Sequence, residues 1–445
     1  MRRILIVGGG YAGFYAARTL ERRLSRKEAE LMMIDPRPYM TYQPFLPEVA
    51  AGSIEPRHAA VSHRRHLKRT RLISGRVTAV DHEHRAVTVQ PVDGGTMTID
   101  YDIILVTAGA VTRTFPVPGL REHAIGFKHV EEAVAVRDRV LTALDRAAVL
   151  PAGRQRTRLL TFTVVGGGFT GIEVLGELLS LASAMIKRYP ELGPDDLTFH
   201  LVEAKERVLP EVGTEPARWV VRSLRDRGAR VHLRTSLISA ENGHLVLSDG
   251  EEFDSDLIIW TAGNAATEVI SRHTDLPTDR SGLLIVRPDL RVGSDDLPIV
   301  DAWAAGDDAL IPDLASDVPG ARTVPNAQHA VRQGKRVGRN IAAQLHGGKL
   351  RPYVHHSIGV VATLGIGRGI FQYHRLVITG PPAWLIHRGY HVLAVPMWER
   401  KVRVAAGWVT QAVFGRDLVS LEPVQHPRQA FVDAAADDDH VRPAA

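Results

Sequence analysis

A glycine pattern of fixed spacing occurs twice in this chain of 445 residues, each time between a run of apolar residues and a stretch that reads as a helix. The first copy is the strand Arg3-Ile4-Leu5-Ile6-Val7, then Gly8-Gly9-Gly10-Tyr11-Ala12-Gly13, then a helix carrying Phe14, Ala16, Ala17 and Leu20. Each glycine has a separate purpose. Gly8 permits a tight turn, Gly10 lets the backbone approach a pyrophosphate, and Gly13 lets helix and strand pack closely, with phosphate held at the helix N-terminus. A lone loop of this kind is weak evidence; the test is a following strand that ends in an acid. Glu30-Leu31-Met32-Met33-Ile34 runs into Asp35, placed to accept hydrogen bonds from a ribose hydroxyl.

The second copy is the strand Thr161-Phe162-Thr163-Val164-Val165, followed by Gly166-Gly167-Gly168-Phe169-Thr170-Gly171 and a helix from Ile172 to Leu181. Its acid is Glu203, closing the strand Leu197–Val202. An acid there repels the 2′-phosphate of NADP, so NADH is favoured over NADPH, with Lys205 and Arg207 nearby as a counterweight. Matching strands close the copies, one ending at Thr107-Ala108-Gly109 and the other at Thr261-Ala262-Gly263. Two loops, two acids and two closing strands predict an α/β chain with two Rossmann-like dinucleotide-binding domains, able to serve FAD and NAD(P)H.

Composition narrows the chemistry. There is no cysteine, which removes disulfides, thiolate catalysis, Fe-S clusters and cysteine-ligated zinc. Twenty histidines invite a metal, yet neither His63 with His66 nor His387 with His391 has a third ligand nearby in sequence, so no metal is expected. No run approaches the roughly 18 to 20 uncharged apolar residues of a spanning helix. The N-terminus enters a strand with no signal-peptide core before it, and a cytoplasmic location is expected.

Beyond the second repeat, Ile299-Val300-Asp301-Ala302-Trp303-Ala304-Ala305-Gly306-Asp307-Asp308 leads to a helix over about Ala327 to Leu345. Here the chain resembles the two-dinucleotide-binding-domain flavoproteins, in which the first copy binds FAD and the inserted second copy binds the nicotinamide. The resemblance implies FAD-domain segments at 1–120 and 286–348, an NADH domain at 121–285, a C-terminal region at 349–425 and a disordered tail at 426–445. It also places Asp307 at the ribityl-phosphate region of FAD, with Gly109 and Gly263 in the two cofactor sites.

Three segments resemble the type II NADH:quinone oxidoreductases, which transfer a hydride from NADH to FAD and electrons on to a membrane quinone without proton pumping. Tyr42-Gln43-Pro44-Phe45-Leu46-Pro47-Glu48 is similar to the family's segment beside the flavin, with Pro47 replacing an aromatic, and implies Gln43 and Pro44 as FAD contacts. Pro325-Asn326-Ala327-Gln328-His329-Ala330-Val331-Arg332-Gln333 is similar to the quinone-site motif, and implies Gln328, Arg332 and Gln333 as quinone contacts. Arg332 stands where the family has a glutamine. Pro325-Asn326 is also a helix-start signal, so the positive end at Ala327 can face the electron-rich edge of a reduced flavin.

The third segment is C-terminal. From Lys349 to Asp417 nine basic residues face two acids, a net of +7 against +5 for the whole chain. Trp398, Val402, Ala405, Val409 and Val413 recur at helical spacing opposite Arg400, Lys401 and Arg403, and Trp384 and Trp408 lie in the same stretch. Apolar face, tryptophan and basic rim describe an amphipathic helix lying on an anionic lipid surface. Packing on the chain's own domain or on a partner in a homodimer is the competing use. No recognition motif accompanies the charge, so nucleic acid is not expected as a partner.

Glu173, in the first turn after Gly171, matches the family's glutamate at the nicotinamide-flavin junction, for positioning or proton delivery. With Gln328 it is the candidate catalytic residue. Two rivals share the domains: a soluble NAD(P)H-dependent reductase of a ferredoxin or small acceptor, and an NADH-binding redox sensor.

Overall fold

The computed structural model describes residues 1–355, 357–422, 427–429 and 431–435. The acidic run Asp437–Asp439, expected in a disordered tail, lies outside the described residues. By its internal contacts the chain divides into two units, the first comprising Met1–Thr41, Ala60–Arg113 and Gly263–Ile358. The second comprises Tyr42–Ala59, Thr114–Ala262 and Gly359–Ala445.

The first unit is built on an eight-stranded sheet. Its parallel part runs Pro298–Ala304, Ile103–Val106, Arg2–Val7, Ala29–Asp35 and Thr70–Asp81. Strands covered on both faces read as continuous apolar runs, and Ile4, Leu5, Ile6, Ile104 and Leu105 are all fully buried. Strand order reverses at Arg2–Val7, and the crevice at such a switch point is where open α/β sheets bind ligands. The first glycine loop lies there.

Helix Ala327–Leu345 starts where Pro325-Asn326 predicts, with Asn326 Oδ1 accepting the His329 N–H at 2.8 Å. It packs on helix Tyr11–Arg23 through small residues. A Cβ on Gly334 would lie 2.3 Å from the Ala12 carbonyl oxygen, and one on Gly338 3.0 Å from that of Ala16. The i, i+4 spacing of Gly334 and Gly338 puts both on one face of their helix, opposite Ala12 and Ala16 at the same spacing.

The second unit repeats the plan on a five-stranded parallel sheet ordered Ala124–Ile125, Leu257–Trp260, Thr161–Val165, Thr198–Glu203 and Ala229–Leu233. Strand order again reverses at the strand that feeds the glycine loop. Its central helix, Phe169–Met185, extends by a short turn to Arg188. Among the described residues this is the one helix long and apolar enough to cross a membrane; it is mostly buried inside the protein, and it carries Glu173 and Glu177, so it is not an uncharged run.

The same unit ends in helices Pro381–Ala394 and Trp398–Phe414. Pro381 and Pro382 follow Gly380 and start the first of them, since proline lacks only an N–H that has no helical partner there. Burial along both helices is inverted. The first buries Ala383, His387 and His391 and the second buries Glu399 and Val404, while Leu385, Leu393, Trp398, Val402, Val409, Val413 and Phe414 are exposed.

Candidate active site

The first glycine loop shows why each residue type is needed. Gly8 has φ +95°, and a Cβ on Gly13 would lie 1.9 Å from the Gly8 carbonyl oxygen. A Cβ on Gly10 would meet nothing within 4 Å, so that side of the loop is open to a ligand's approach. Asp35 Oδ2 accepts the Gly9 N–H at 2.6 Å, and Oδ1 that of Arg37 at 2.7 Å. Thr107 Oγ1 bonds the carbonyls of both Val7 and Gly8 at 2.9 Å.

The second loop reproduces these contacts with a glutamate in place of the aspartate. Gly166 has φ +111°, a Cβ on Gly171 would lie 1.8 Å from the Gly166 carbonyl oxygen, and Gly168 is open. Glu203 Oε2 accepts the Gly167 N–H at 2.5 Å and Oε1 that of Lys205 at 2.7 Å. Thr261 Oγ1 bonds the carbonyls of Val165 at 2.9 Å and Gly166 at 3.1 Å. Each acid thus rigidifies its own loop while keeping lone pairs for a ribose. The counterweight expected beside Glu203 is partly occupied, because the Arg207 guanidinium donates to the carbonyls of Pro210 at 2.9 Å and Val212 at 3.2 Å.

Within the first unit Gly109 and Gly263 both take positive φ, +71° and +91°. Asp307 is half-buried, and its neighbour Asp308 is fully buried with neither oxygen meeting a hydrogen-bond partner in good geometry. Burial pushes the Asp308 carboxyl up to about 7. Gln328 is half-buried and accepts from Arg332 Nη1 at 3.4 Å through both its carbonyl and its side-chain oxygen.

Gln333 has another occupation than the expected quinone contact. It is buried, its Oε1 accepts the Gly306 N–H at 3.0 Å and its Nε2 donates to Thr323 at 3.2 Å, so its amide ties the Gly306 loop to the helix. Gln43 and Pro44 open a short helical turn, Gln43–Phe45, that groups with the second unit, and Gln43 Nε2 donates to the Lys128 carbonyl at 3.4 Å.

In the second unit Glu173 is the end of a buried polar cluster. Its Oε1 accepts from His387 Nε2 at 3.1 Å and from the Thr363 N–H at 3.2 Å. One turn on, Glu177 is fully buried beside Arg416, whose Nη2 lies 3.5 Å from its Oε2, and burial pushes Glu177 up to about 7. Buried Glu48 accepts from Arg388 at 3.2 Å and from Trp408 Nε1 at 2.5 Å, and the Arg388 guanidinium is stacked between Trp384 and Trp408.

Sequence reasoning missed His63, which donates to the Gly9 carbonyl at 2.8 Å and seals the first loop. It also missed Thr107, Thr261, Asp308 and the inward role of His387 and His391. The repeated Thr-Ala-Gly triplet was the available signal for the threonines. Of the histidines, His200 and His232 come closest to a metal arrangement among the described residues, with Glu251 as third group. One ligand atom of each lies within 4.8 Å of the others; His200 Nδ1 and His232 Nε2 are 3.0 Å apart as a hydrogen-bonded pair, and Glu251 Oε2 lies 3.5 Å from His232 Nδ1.

Residues 2–334 match the family model of the pyridine nucleotide-disulphide oxidoreductases. The chain belongs to the pyridine nucleotide-disulphide oxidoreductase family. It is therefore an FAD-dependent oxidoreductase that works with a pyridine nucleotide, although without the cysteines that the family's name implies. The two open glycine loops fit that pair of dinucleotides.

Relatives within the family bear out the resemblance read from the sequence. Type II NADH:quinone oxidoreductase Ndh of Mycobacterium tuberculosis is 27% identical over 91% of this chain and 87% of its own length. The internal alternative NAD(P)H-ubiquinone oxidoreductase A1 of Arabidopsis thaliana mitochondria is 26% identical, over 94% of this chain and 85% of its own. In fold the chain is similar to NDH2 from Plasmodium falciparum, solved in complex with NADH, with a TM-score of 0.86 at 17% identity, covering 94% of this chain and 99% of that one.

Proposed function

We propose that this chain oxidises NADH and passes the electrons to a membrane quinone, as a peripheral enzyme on the cytoplasmic face of the cell membrane that moves no protons across it. The observation that carries the reading is the inverted burial of helix Pro381–Ala394, which turns Leu385 and Leu393 outward and brings His387 to Glu173 on its inner side. An apolar outer surface thereby lies about one helix diameter, roughly 10 Å, from a buried acid. A lipid-soluble acceptor needs that proximity. The soluble-reductase and sensor readings leave Trp398, Val409 and Phe414 in water without a use.

Bound FAD supplies the two-electron station between donor and acceptor. Gly8, Gly10, Gly13, Asp35, Gly109, Asp307 and the Ala327 helix end would hold it, and Gly166, Gly168, Gly171 and Glu203 would hold NADH. Glu203 sets the preference for NADH, its carboxylate repelling a 2′-phosphate while Arg207 is occupied elsewhere. Gln328, oriented by Arg332, offers an amide to a quinone carbonyl. Glu173 holds the nicotinamide end and delivers a proton. Hydride transfer asks chiefly for positioning, with reacting atoms about 3 to 3.5 Å apart.

The test is the absorbance spectrum of the purified protein, bleached by NADH and restored by a soluble quinone, followed by flotation with anionic liposomes at low salt. A yellow protein that bleaches, recovers with quinone and floats supports the reading. Bleaching without recovery, or failure to float, refutes the corresponding half.

A further inference from the structure

Helix Pro381–Ala394 buries two imidazoles where a helix of this kind would ordinarily bury leucines. Taking polar rings out of water costs free energy unless they are hydrogen-bonded, so the arrangement calls for a use. Spacing i, i+4 puts His387 and His391 on one face. His387 is 0% exposed; its Nε2 donates to Glu173, and its Nδ1 is buried without a hydrogen-bond partner. The His391 ring lies against it, with centroids 4.4 Å apart and planes at 61°. Beyond, His391 Nδ1 is 3.0 Å from the Tyr42 hydroxyl, and Tyr42 precedes exposed Gln43. The groups run from carboxylate through two imidazoles to a phenol that is itself buried, with no hydrogen bond at His387 Nδ1.

We propose that Tyr42, His391 and His387 are a proton relay that reprotonates Glu173 once in every turnover. This rests on the NADH:quinone reading above. In that reaction NADH, one proton and quinone give NAD⁺ and quinol, so two electrons and one hydrogen come from NADH and the remaining proton comes from water. Glu173 gives its proton to a quinone oxygen and takes another from His387 Nε2. His387 is replenished at Nδ1 by His391, a turn of the His391 ring closing the gap, and His391 in turn by Tyr42 and solvent. Each imidazole takes a proton at one nitrogen as it releases one at the other, so no charge accumulates in the buried line, and rotation of the rings with return of the starting tautomers must complete each turnover.

The other ionisable groups around the line are occupied. From helix Phe169–Met185, Glu177 pairs with Arg416, and from Leu46–Ala50, Glu48 pairs with Arg388 on the relay helix. Arg227 donates to the carbonyls of Gly176 and Leu364, and Tyr390 lies at the His391 ring edge. Glu173 is the one acid of the cluster whose ring partner is a histidine.

The test uses the full-length holoprotein and its His387→Ala, His391→Ala and Tyr42→Phe variants, assayed with quinone and with ferricyanide, which takes electrons without protons. Quinone reduction should fall by about a hundredfold in the histidine variants, the low end of what a placed proton donor contributes, while ferricyanide reduction keeps its rate. The remaining quinone rate should decline with rising pH, and added imidazole should restore it in His391→Ala. Independently of activity, Tyr42→Phe should move the His391 Nδ1 resonance in a ¹⁵N-histidine spectrum. Equal losses with both acceptors, an undiminished quinone rate, or an unmoved resonance overturns the relay. Native protein that reduces ferricyanide and no quinone instead overturns the functional reading, and the relay is then judged on the resonance.

Discussion

Glu203 reaches back 36 residues to hold Gly167, its Oε2 accepting the Gly167 N–H at 2.5 Å. The carboxylate therefore shapes the loop, and if it also meets a ribose as proposed, removing it should act on both. Hydrogen bonds to a charged group contribute about 1.5 to 3 kcal/mol each. In Glu203→Ala, kcat/KM for NADH should fall by at least about tenfold, which is about 1.4 kcal/mol, and that for NADPH should change far less. Steady-state rates with both nucleotides measure it; an unchanged ratio would show that Glu203 does not set the choice.

The twin glycines give a cleaner separation of the two sites. A Cβ at Gly13 or Gly171 falls within 2 Å of a loop carbonyl oxygen, a distance that forces the backbone to move. Gly13→Ala should purify without flavin absorbance. Gly171→Ala should stay yellow and show a raised KM for NADH. Loss of flavin from both variants alike would argue against the assignment of the loops.

Asp308 predicts a pH dependence of stability. Its carboxyl is raised in the folded state to about 7 by burial, so the folded protein binds a proton that the unfolded chain releases near pH 4. Stability is therefore lost as pH rises from about 4 to 7, at up to about 1.4 kcal/mol per unit. Asp308→Asn should remove this loss, and its urea midpoint should exceed that of the native protein increasingly from pH 5 to pH 7.5. Parallel profiles would place the charge elsewhere.

Leu393 and Phe414 are 73% and 84% exposed, so replacing them sacrifices little packing. Leu393→Glu with Phe414→Glu should abolish flotation with anionic liposomes and leave flavin bleaching by NADH in solution intact. Flotation that survives both changes would mean that another surface meets the lipid.

Much of this arrangement is legible in the residues because the features that encode it are local. Gly8 and Gly13 are five positions apart, Pro325-Asn326 directly precedes its helix, and Trp398 to Val413 lie on one exposed row. The site's second layer is not local. His63 meets Gly9 across 54 residues and His387 meets Glu173 across 214, and periodicity within a window of a dozen residues carries no trace of either. The alternation on Pro381–Ala394 points to an amphipathic helix, but which face turns inward depends on what Glu173 offers it. The Gln333 amide shows the same distance: its partner Gly306 lies 27 residues away, and nothing in its own helix announces it.

The strand Pro298–Ala304 lies beside Ile103–Val106, yet nearly 200 residues separate them in the chain. During synthesis the first sheet stays open along that edge until those late residues leave the ribosome, whereas all five strands of the second sheet have emerged by Trp260. Domains form as their segments become available, so the second sheet can be completed while the first is still half made. On the proposed assignment of the two loops, FAD binding waits for residues that emerge after the second sheet is complete, and a ribosome stalled before residue 298 should carry a chain able to recognise a nucleotide but unable to become coloured.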